Sequence, residues 1–194
     1  MQARTTGRGG ALLGAAVALL LAGTTPAVAQ NGERTVVISD LPLTEQTRIA
    51  AEMDARNTEA SELLGEARAH EEAGEWGRAA RKYERSGELR ADGDGLAWQV
   101  YDMAGRAYYF SDSPGRASRM WEESAERALI FGNVLEAAHG YLRAAVAAQE
   151  AGKRVRTVEL GWKAYHLSQS PALTRMQREE LQAHLSVGEG EERG

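Results

Sequence analysis

An internal repeat is the feature of this sequence that most restricts its fold. The chain can be aligned with itself so that Leu63 matches Tyr101 and then Tyr141. In this alignment, side chains of similar size occupy matching positions in the three segments. The aligned columns are Leu63, Tyr101 and Tyr141; Ala67, Gly105 and Ala145; Ala79, Ala117 and Thr157; Ser86, Ser124 and Ala164; and, over two units, Tyr83 and Trp121. Small columns suit helices that approach closely, so the pattern predicts a repeated pair of helices. The third unit departs from it at Gly161, and a helix bundle without true repeats stays an alternative.

Helical periodicity extends from Thr44 to about Leu185, where apolar residues recur every three or four positions and the breaks fall at Gly and Pro. The sequence therefore predicts an all-α fold. The predicted helices span residues 44–73, 76–90, 95–110, 114–131, 133–151, 155–168 and 173–186. The first of these is alternatively two helices broken near Asn57.

The breaks between helices carry recognisable turn chemistry. Gly74 and Gly152 stand where a left-handed residue ends a helix favourably. Ser113 precedes Pro114, which predicts a capping hydroxyl followed by a proline at the first helical position. Asp94 is a candidate cap for the helix that follows it. Short turns between long helices predict that successive helices run antiparallel as hairpins.

The N-terminus has the three parts of a secretory signal peptide. Arg4 and Arg8 precede an apolar run over residues 11–22, and the small residues Ala27 and Ala29 follow. We predict cleavage after Ala29 and export by the general secretory route to the periplasm or beyond the cell. The apolar run is shorter than the roughly 20 residues of a bilayer span, so we expect no membrane span after cleavage. An uncleaved membrane anchor is the alternative.

The predicted organisation has four parts. A signal peptide over residues 1–29 precedes an extended linker over 30–43, a helical domain over 44–186 and a disordered acidic tail over 187–194.

The chain has no Cys, which removes disulfides, zinc-thiolate sites and thiol nucleophiles. Its formal net charge of −5 argues against nucleic-acid binding. No catalytic or metal-binding motif is present, so we predict no enzymatic activity, no cofactor and no metal.

Two segments resemble the tetratricopeptide repeat family, in which helix pairs carry small and aromatic residues at fixed spacing. They are "LLGEARAHEEAGEWGRAARKYERS" over residues 63–86 and "YDMAGRAYYFSDSPGRASRMWEES" over residues 101–124, with a degenerate third unit over 138–171. The resemblance implies antiparallel helical hairpins stacked as a short α-solenoid, about three hairpins plus a C-terminal capping helix. The period here is longer than that of the family by about one helical turn per unit.

The resemblance also implies a groove lined by the first helix of each hairpin. The family's spacing assigns to this groove Arg68, Gln99, Asp102, Arg106, Tyr109, His139, Leu142 and Val146. The two arginines suit a carboxylate, and the aliphatic residues suit apolar side chains. The expected function is an exported, non-enzymatic adaptor that binds a protein or peptide in this groove. The alternatives are a small-molecule binding protein of the cell envelope and a self-associating structural protein.

Four tryptophans recur about once per helix beside the packing columns. They are Trp76, Trp98, Trp121 and Trp162. An aromatic ring at such a place supplies apolar burial, so the sequence predicts that they belong to the core rather than to a site for sugars or bases.

Overall fold

Seven α-helices form the part of the chain that the structure, a computed structural model, describes, namely residues 41–90 and 94–187; no strand occurs within it. The helices are α1 (Leu43–Glu72), α2 (Trp76–Leu89), α3 (Ala97–Phe110), α4 (Pro114–Ile130), α5 (Val134–Glu150), α6 (Arg154–Ser168) and α7 (Arg175–Val187). The all-α prediction is confirmed. The predicted signal peptide, most of the linker and most of the acidic tail lie outside the described residues.

The alternative of a break near Asn57 is wrong, because α1 is one helix of 30 residues. Good helix formers, chiefly Ala, Glu and Arg, surround Asn57, and a single Asn lowers helix stability by only about 0.5 kcal/mol. Neither Gly nor Pro interrupts the helix at that point. A lone asparagine is therefore too weak a signal to break this helix.

Four connections between helices share one turn geometry. The central residues of these turns are Gly74, Asp112, Gly132 and Gly152, with φ angles of 73°, 56°, 72° and 71°. In the first turn the Glu75 N–H donates to the His70 carbonyl at 2.8 Å, and the equivalent bond recurs in the other three. This pattern satisfies carbonyl groups that a helix end leaves without partners. The prediction that Gly74 and Gly152 adopt left-handed conformations is confirmed.

Two of the predicted caps differ from the structure. Ser113 is the residue before α4, but its hydroxyl makes no capping hydrogen bond to the helix. The preceding turn already fixes the Ser113 backbone, whose N–H donates to the Tyr108 carbonyl. The residue that precedes the first turn of α3 is Leu96 and not the predicted Asp94. The Asp94 carboxylate accepts the Leu96 N–H at 2.8 Å, just before the helix begins. Pro114 is the first residue of α4, as predicted.

Consecutive helices pack against each other along the chain, and α7 packs against both α6 and α5. The shared core consists largely of alanines, with Tyr83, Val100, Tyr108 and Leu160 as its large, fully buried side chains. Small residues let neighbouring helix backbones approach. A Cβ atom at Gly87 would lie 2.9 Å from the Tyr101 ring. Small residues therefore mark places where the helices of this fold make close contact.

One hydrogen bond between helices recurs with the sequence repeat. The buried Ser86 hydroxyl donates to the Ala60 carbonyl at 2.6 Å, joining α2 to α1. The Ser124 hydroxyl donates to the Trp98 carbonyl at 2.8 Å, joining α4 to α3. Ser124 follows Ser86 by the same number of residues that separates Tyr101 from Leu63. Trp98 follows Ala60 by that same number, so the whole hydrogen bond recurs with the repeat. The aligned serine column thus has a shared structural role in these two units.

The tryptophan prediction is correct for three rings and wrong for the fourth. Trp121 is buried, and Trp76 and Trp98 pack against the core. Trp162 is 58% exposed. Trp162 lies on a side of α6 that α7 leaves largely uncovered, so the ring has no neighbouring helix to bury it.

Among the described residues, no helix combines the length and apolar character needed to cross a membrane.

Candidate functional site

A cavity of about 510 Å³ lies between α3, α4, α5 and α7. Its lining residues are Tyr109, Trp121, His139, Leu142, Arg143, Val146, Glu180 and His184. Four of the eight residues predicted to line a groove are among them: Tyr109, His139, Leu142 and Val146. A concave site of this size, largely apolar with a few polar groups, has the dimensions of a ligand-binding cavity.

Helix α5 forms one wall of the cavity because of its residue spacing. His139, Leu142, Arg143 and Val146 stand at intervals of three and four positions, so they share one face of the helix. The opposite face of α5 is rich in alanine and is buried in the core. The alanines hold α5 close to its neighbours, and the larger side chains on the other face are left to line the cavity.

The indole of Trp121 supplies the aromatic part of the cavity from α4. A Cβ atom at Gly105 would lie 2.6 Å from its Cδ1 atom, so only glycine at that position lets the ring lie against α3. The Tyr109 ring lies 5.7 Å from the indole, measured between ring centroids. The Tyr109 hydroxyl donates to the Glu150 carboxylate at 2.5 Å, and this hydrogen bond raises the pKa of the phenol. Tyr109 thereby connects α3 to α5 at the edge of the cavity.

Two arginines share one carboxylate beside the cavity. The Arg143 guanidinium lies 2.9 Å from the Asp102 carboxylate, and Arg106 lies 3.8 Å from it. Asp102 is largely buried between them. One negative charge therefore faces two positive charges, which leaves an excess of positive charge at this point. A ligand carboxylate would be favoured there.

Three lining residues carry buried nitrogen atoms that have no hydrogen-bond partner within the described chain. These atoms are Nε1 of Trp121, Nε2 of His139 and Nε of Arg143. The Trp and Arg atoms can only donate hydrogen bonds. Buried donors without partners are uncommon in folded proteins and commonly mark a place where water or a ligand binds. These nitrogen atoms belong to side chains of the cavity wall, but each of them is itself buried.

The other four predicted residues lie on α1 and α3, outside the cavity. Arg68 is exposed on α1, and Gln99 and Arg106 are exposed on α3, where Asp102 joins Arg106 to the cavity residue Arg143. Burial and a hydrogen bond to Glu71 raise the pKa of Tyr83. The positive charges of Arg68 and Arg106 both act against this rise and lower the pKa in part. The two arginines therefore lie on a common side of the molecule, near the Tyr83 hydroxyl.

Four lining residues were not predicted from the sequence. Arg143 could have been found, because it lies four positions after His139 and three before Val146 on the same helical face. Trp121 was expected in the core, and it is buried there while also lining the cavity. Glu180 and His184 come from α7, and the sequence gives no sign of which side chains this helix places beside α5.

Comparisons of the chain with protein-family models, with curated proteins and with solved structures give no match in any of the three.

Proposed function

We propose that this chain is an exported, non-enzymatic binding protein, built as a short tetratricopeptide-like array, that binds a peptide segment of another protein. Helices α1, α3 and α5 form its binding groove, and the 510 Å³ cavity is the anchor position at the end of that groove. The single observation that carries the proposal is this largely apolar cavity, whose wall includes Leu142 and Val146 and whose edge carries Arg143, beside Asp102 and Arg106.

Two recurrences along the chain support the proposed array. The left-handed turns at positions 74, 112 and 152 are separated by the same two intervals as Leu63, Tyr101 and Tyr141 of the sequence repeat. The hydrogen bonds from Ser86 and Ser124 recur at the first of these intervals. Three units, each of two helices joined by such a turn, account for α1 to α6. Helix α7 then takes the place of a capping helix.

The peptide chemistry follows from the charges and shapes of the groove. Arg68, Arg106 and Arg143 bind acidic side chains of the ligand, since a guanidinium pairs with a carboxylate through two parallel hydrogen bonds. Leu142 and Val146 hold an apolar anchor residue. A few desolvated anchors of this kind dominate the affinity of an interface. The expected ligand is therefore a peptide with one large apolar residue next to acidic residues.

Selection from a random peptide library tests this proposal. Peptides selected on the purified protein should be enriched in an apolar residue flanked by Asp or Glu. Their affinity for the Val146→Glu variant should fall by more than about tenfold. Ile130→Glu is the matched control, because Ile130 is also an exposed aliphatic residue on a helix but lies away from the cavity. Peptides that bind Val146→Glu as well as the parent protein would contradict the proposal.

A small-molecule binding protein is the second candidate, and one observation favours it. Glu180 and His184 of α7 add a further wall to the cavity, so that four helices surround a space of the size that small ligands occupy. A thermal-shift screen separates the two candidates. Small carboxylic acids that raise the unfolding midpoint of the parent protein, but not that of Val146→Glu, would support the second candidate, whereas library peptides alone would support the first.

A further inference from the structure

A basic edge follows the three turns that join α1 to α2, α3 to α4 and α5 to α6. Two exposed cationic side chains stand beside each turn: Arg78, Arg81, Arg116, Arg119, Lys153 and Arg154. The segments that contain them, residues 74–81, 111–119 and 152–155, carry only two acidic residues, Glu75 and Asp112. The other fully described connections, residues 131–133 and 169–174, carry no charged side chain. Positive charge is thus concentrated on one set of turns.

Contacts between neighbouring turns make this edge continuous. A Cβ atom at Gly77 would lie 3.8 Å from the Ser111 side chain, so the first turn lies against the second. A Cβ atom at Gly115 would lie 3.3 Å from the Lys153 ammonium, so the second turn lies against the third. The three pairs of cations therefore form one row along the molecule.

The arginines of this edge recur with the sequence repeat. The segments 77–81 and 115–119 both read Gly-Arg-Ala, then one small residue, then Arg. The shared alanines, Ala79 and Ala117, are fully buried, whereas the arginines are exposed. Packing of the core therefore accounts for the alanines of this motif and not for its arginines.

Most of these cations are not neutralised within the protein. Among the ion pairs of the described residues, Arg78 is the one member of the edge that takes part, with Glu75 at 3.0 Å. Arg116 lies over the Tyr108 ring, 5.5 Å from its centroid, and keeps its net charge there. The whole chain has 28 acidic residues against 23 basic ones, so the edge is opposite in sign to the molecule. Such an asymmetry turns the edge towards an anionic surface.

Exposed apolar side chains accompany the cations. Phe110 is 61% exposed at the end of α3, and its ring lies 4.8 Å from that of Trp76, measured between centroids. Val155 is 76% exposed at the start of α6, directly after Lys153 and Arg154. Cationic side chains beside exposed apolar ones are typical of surfaces that lie in the headgroup region of a membrane.

We propose that this basic edge docks the protein on a membrane that contains anionic phospholipid. The six cations contact the headgroups, while Phe110 and Val155 enter the boundary between headgroups and acyl chains. The cations are spread over three turns instead of converging on one pocket, which suits many mobile headgroups better than one fixed carboxylate. Binding is peripheral and weakens as salt screens the charges. This inference depends on neither the cavity nor the proposed peptide groove.

A fluorescent label tests which part of the molecule contacts the bilayer. The chain has no Cys, so Val155→Cys carries an environment-sensitive fluorophore at one defined position. Its emission should rise and shift to shorter wavelength with vesicles of phosphatidylglycerol and phosphatidylcholine, and should stay unchanged with phosphatidylcholine alone. Ile130→Cys is the matched control, because Ile130 is also an exposed aliphatic residue but borders an uncharged connection. A label at position 155 that stays unchanged, or that responds equally to both kinds of vesicle, would overturn the proposal.

Neutral substitutions measure what the cations contribute to binding. Arg81→Gln, Arg119→Gln and Lys153→Gln should each lower the affinity for the phosphatidylglycerol vesicles about fivefold, and the triple variant should lower it more than about tenfold. Arg56→Gln is the control: Arg56 is also exposed, but it lies about 24 Å along α1 from the first turn, so it should bind like the parent protein. Every variant carries the same N-terminus, so differences between variants report the edge alone.

Two results would overturn the membrane contact. Circular dichroism and the unfolding midpoint first establish that each variant is folded. A folded triple variant that binds the vesicles as tightly as the parent protein would show that the edge is not the contact. Binding of soluble polyglutamate that is lost in the triple variant, without any binding to vesicles, would overturn the membrane and favour an acidic protein as the partner.

Discussion

The indole of Trp121 lies so close to the backbone of Gly105 that a Cβ atom at position 105 would come within 2.6 Å of the indole Cδ1 atom. Three atoms of the ring lie at similar distances, and the Trp121 side chain is 5% exposed. A buried aromatic ring held against its neighbours has little room to shift. This contact fixes the spacing of α3 and α4 and so positions one side of the cavity.

Gly105→Ala should therefore lower the free energy of unfolding by about 1–3 kcal/mol, the usual cost of adding a methyl group to a filled core. Gly65→Ala is the matched control, because Gly65 is also within a helix and a Cβ atom there would have no neighbour within 4 Å. It should raise the free energy of unfolding by about 0.5–1 kcal/mol, because alanine favours a helix interior. Urea denaturation of both variants measures the difference. Equal stability of the two would contradict the close contact.

The turn at Asp112 should be improved by glycine. Asp112 has a φ of 56°, whereas the three other turns of this geometry have glycine at the central position. A left-handed conformation costs a side-chain-bearing residue about 1 kcal/mol relative to glycine. Asp112→Gly should raise the unfolding midpoint slightly, and Gly152→Ala should lower it by a similar amount. Thermal denaturation followed by circular dichroism measures both, and a loss of stability in Asp112→Gly would count against the strain.

The two recurring serine hydrogen bonds should contribute similar and independent stabilities. Ser86→Ala and Ser124→Ala each remove a hydroxyl of a buried serine that donates to a backbone carbonyl of the preceding helix, at a cost of about 1 kcal/mol. The double variant should lose the sum, because the two bonds share no partner. Ser61→Ala is the control: its exposed hydroxyl bonds only within α1, so its loss should be nearly neutral. Denaturant titration distinguishes these outcomes.

Alkaline pH should destabilise the protein through its tyrosines. Burial is the main cause that raises the pKa of Tyr83, Tyr101, Tyr108 and Tyr141. A raised pKa in the folded state means that the neutral phenol is favoured there. Stability should therefore be unaffected by these groups below about pH 10, the pKa of an unperturbed tyrosine, and should fall as the pH rises further. Spectrophotometric titration should show most tyrosines ionising late and together with unfolding; ionisation near pH 10 in the folded protein would refute this.

Export should leave a chain that begins at Gln30. The predicted signal peptide ends with Ala27 and Ala29, the small residues that a signal peptidase requires. Intact mass spectrometry of the protein recovered from the envelope or medium of its native cell measures the N-terminus. Ala29→Arg should slow processing and leave the precursor in the membrane fraction. An exported chain that still begins at Met1 would rule out the cleavage.

Much of the fold could be predicted because its signals are local. Glycine at positions 74 and 152 favours the left-handed turns that end α1 and α5, whatever surrounds them. The helix boundaries follow from such breaks and from the apolar periodicity, and they agree with the structure to within two positions. The missing cap at Ser113 shows the limit, because a serine before a helix permits a capping hydrogen bond without requiring it.

By itself the sequence determined the class of the fold, the approximate bounds of the helices and the small positions where helices meet. Only the tertiary structure decided that Trp121 and Arg143 line a cavity with Glu180 and His184, and that Trp162 stays exposed. The physical reason is the distance between neighbouring helices. Local sequence sets where each helix begins and ends, but a side chain becomes core, cavity wall or open surface according to how closely the next helix packs. That spacing depends on contacts between residues far apart in the chain, such as Gly140 against Ala125.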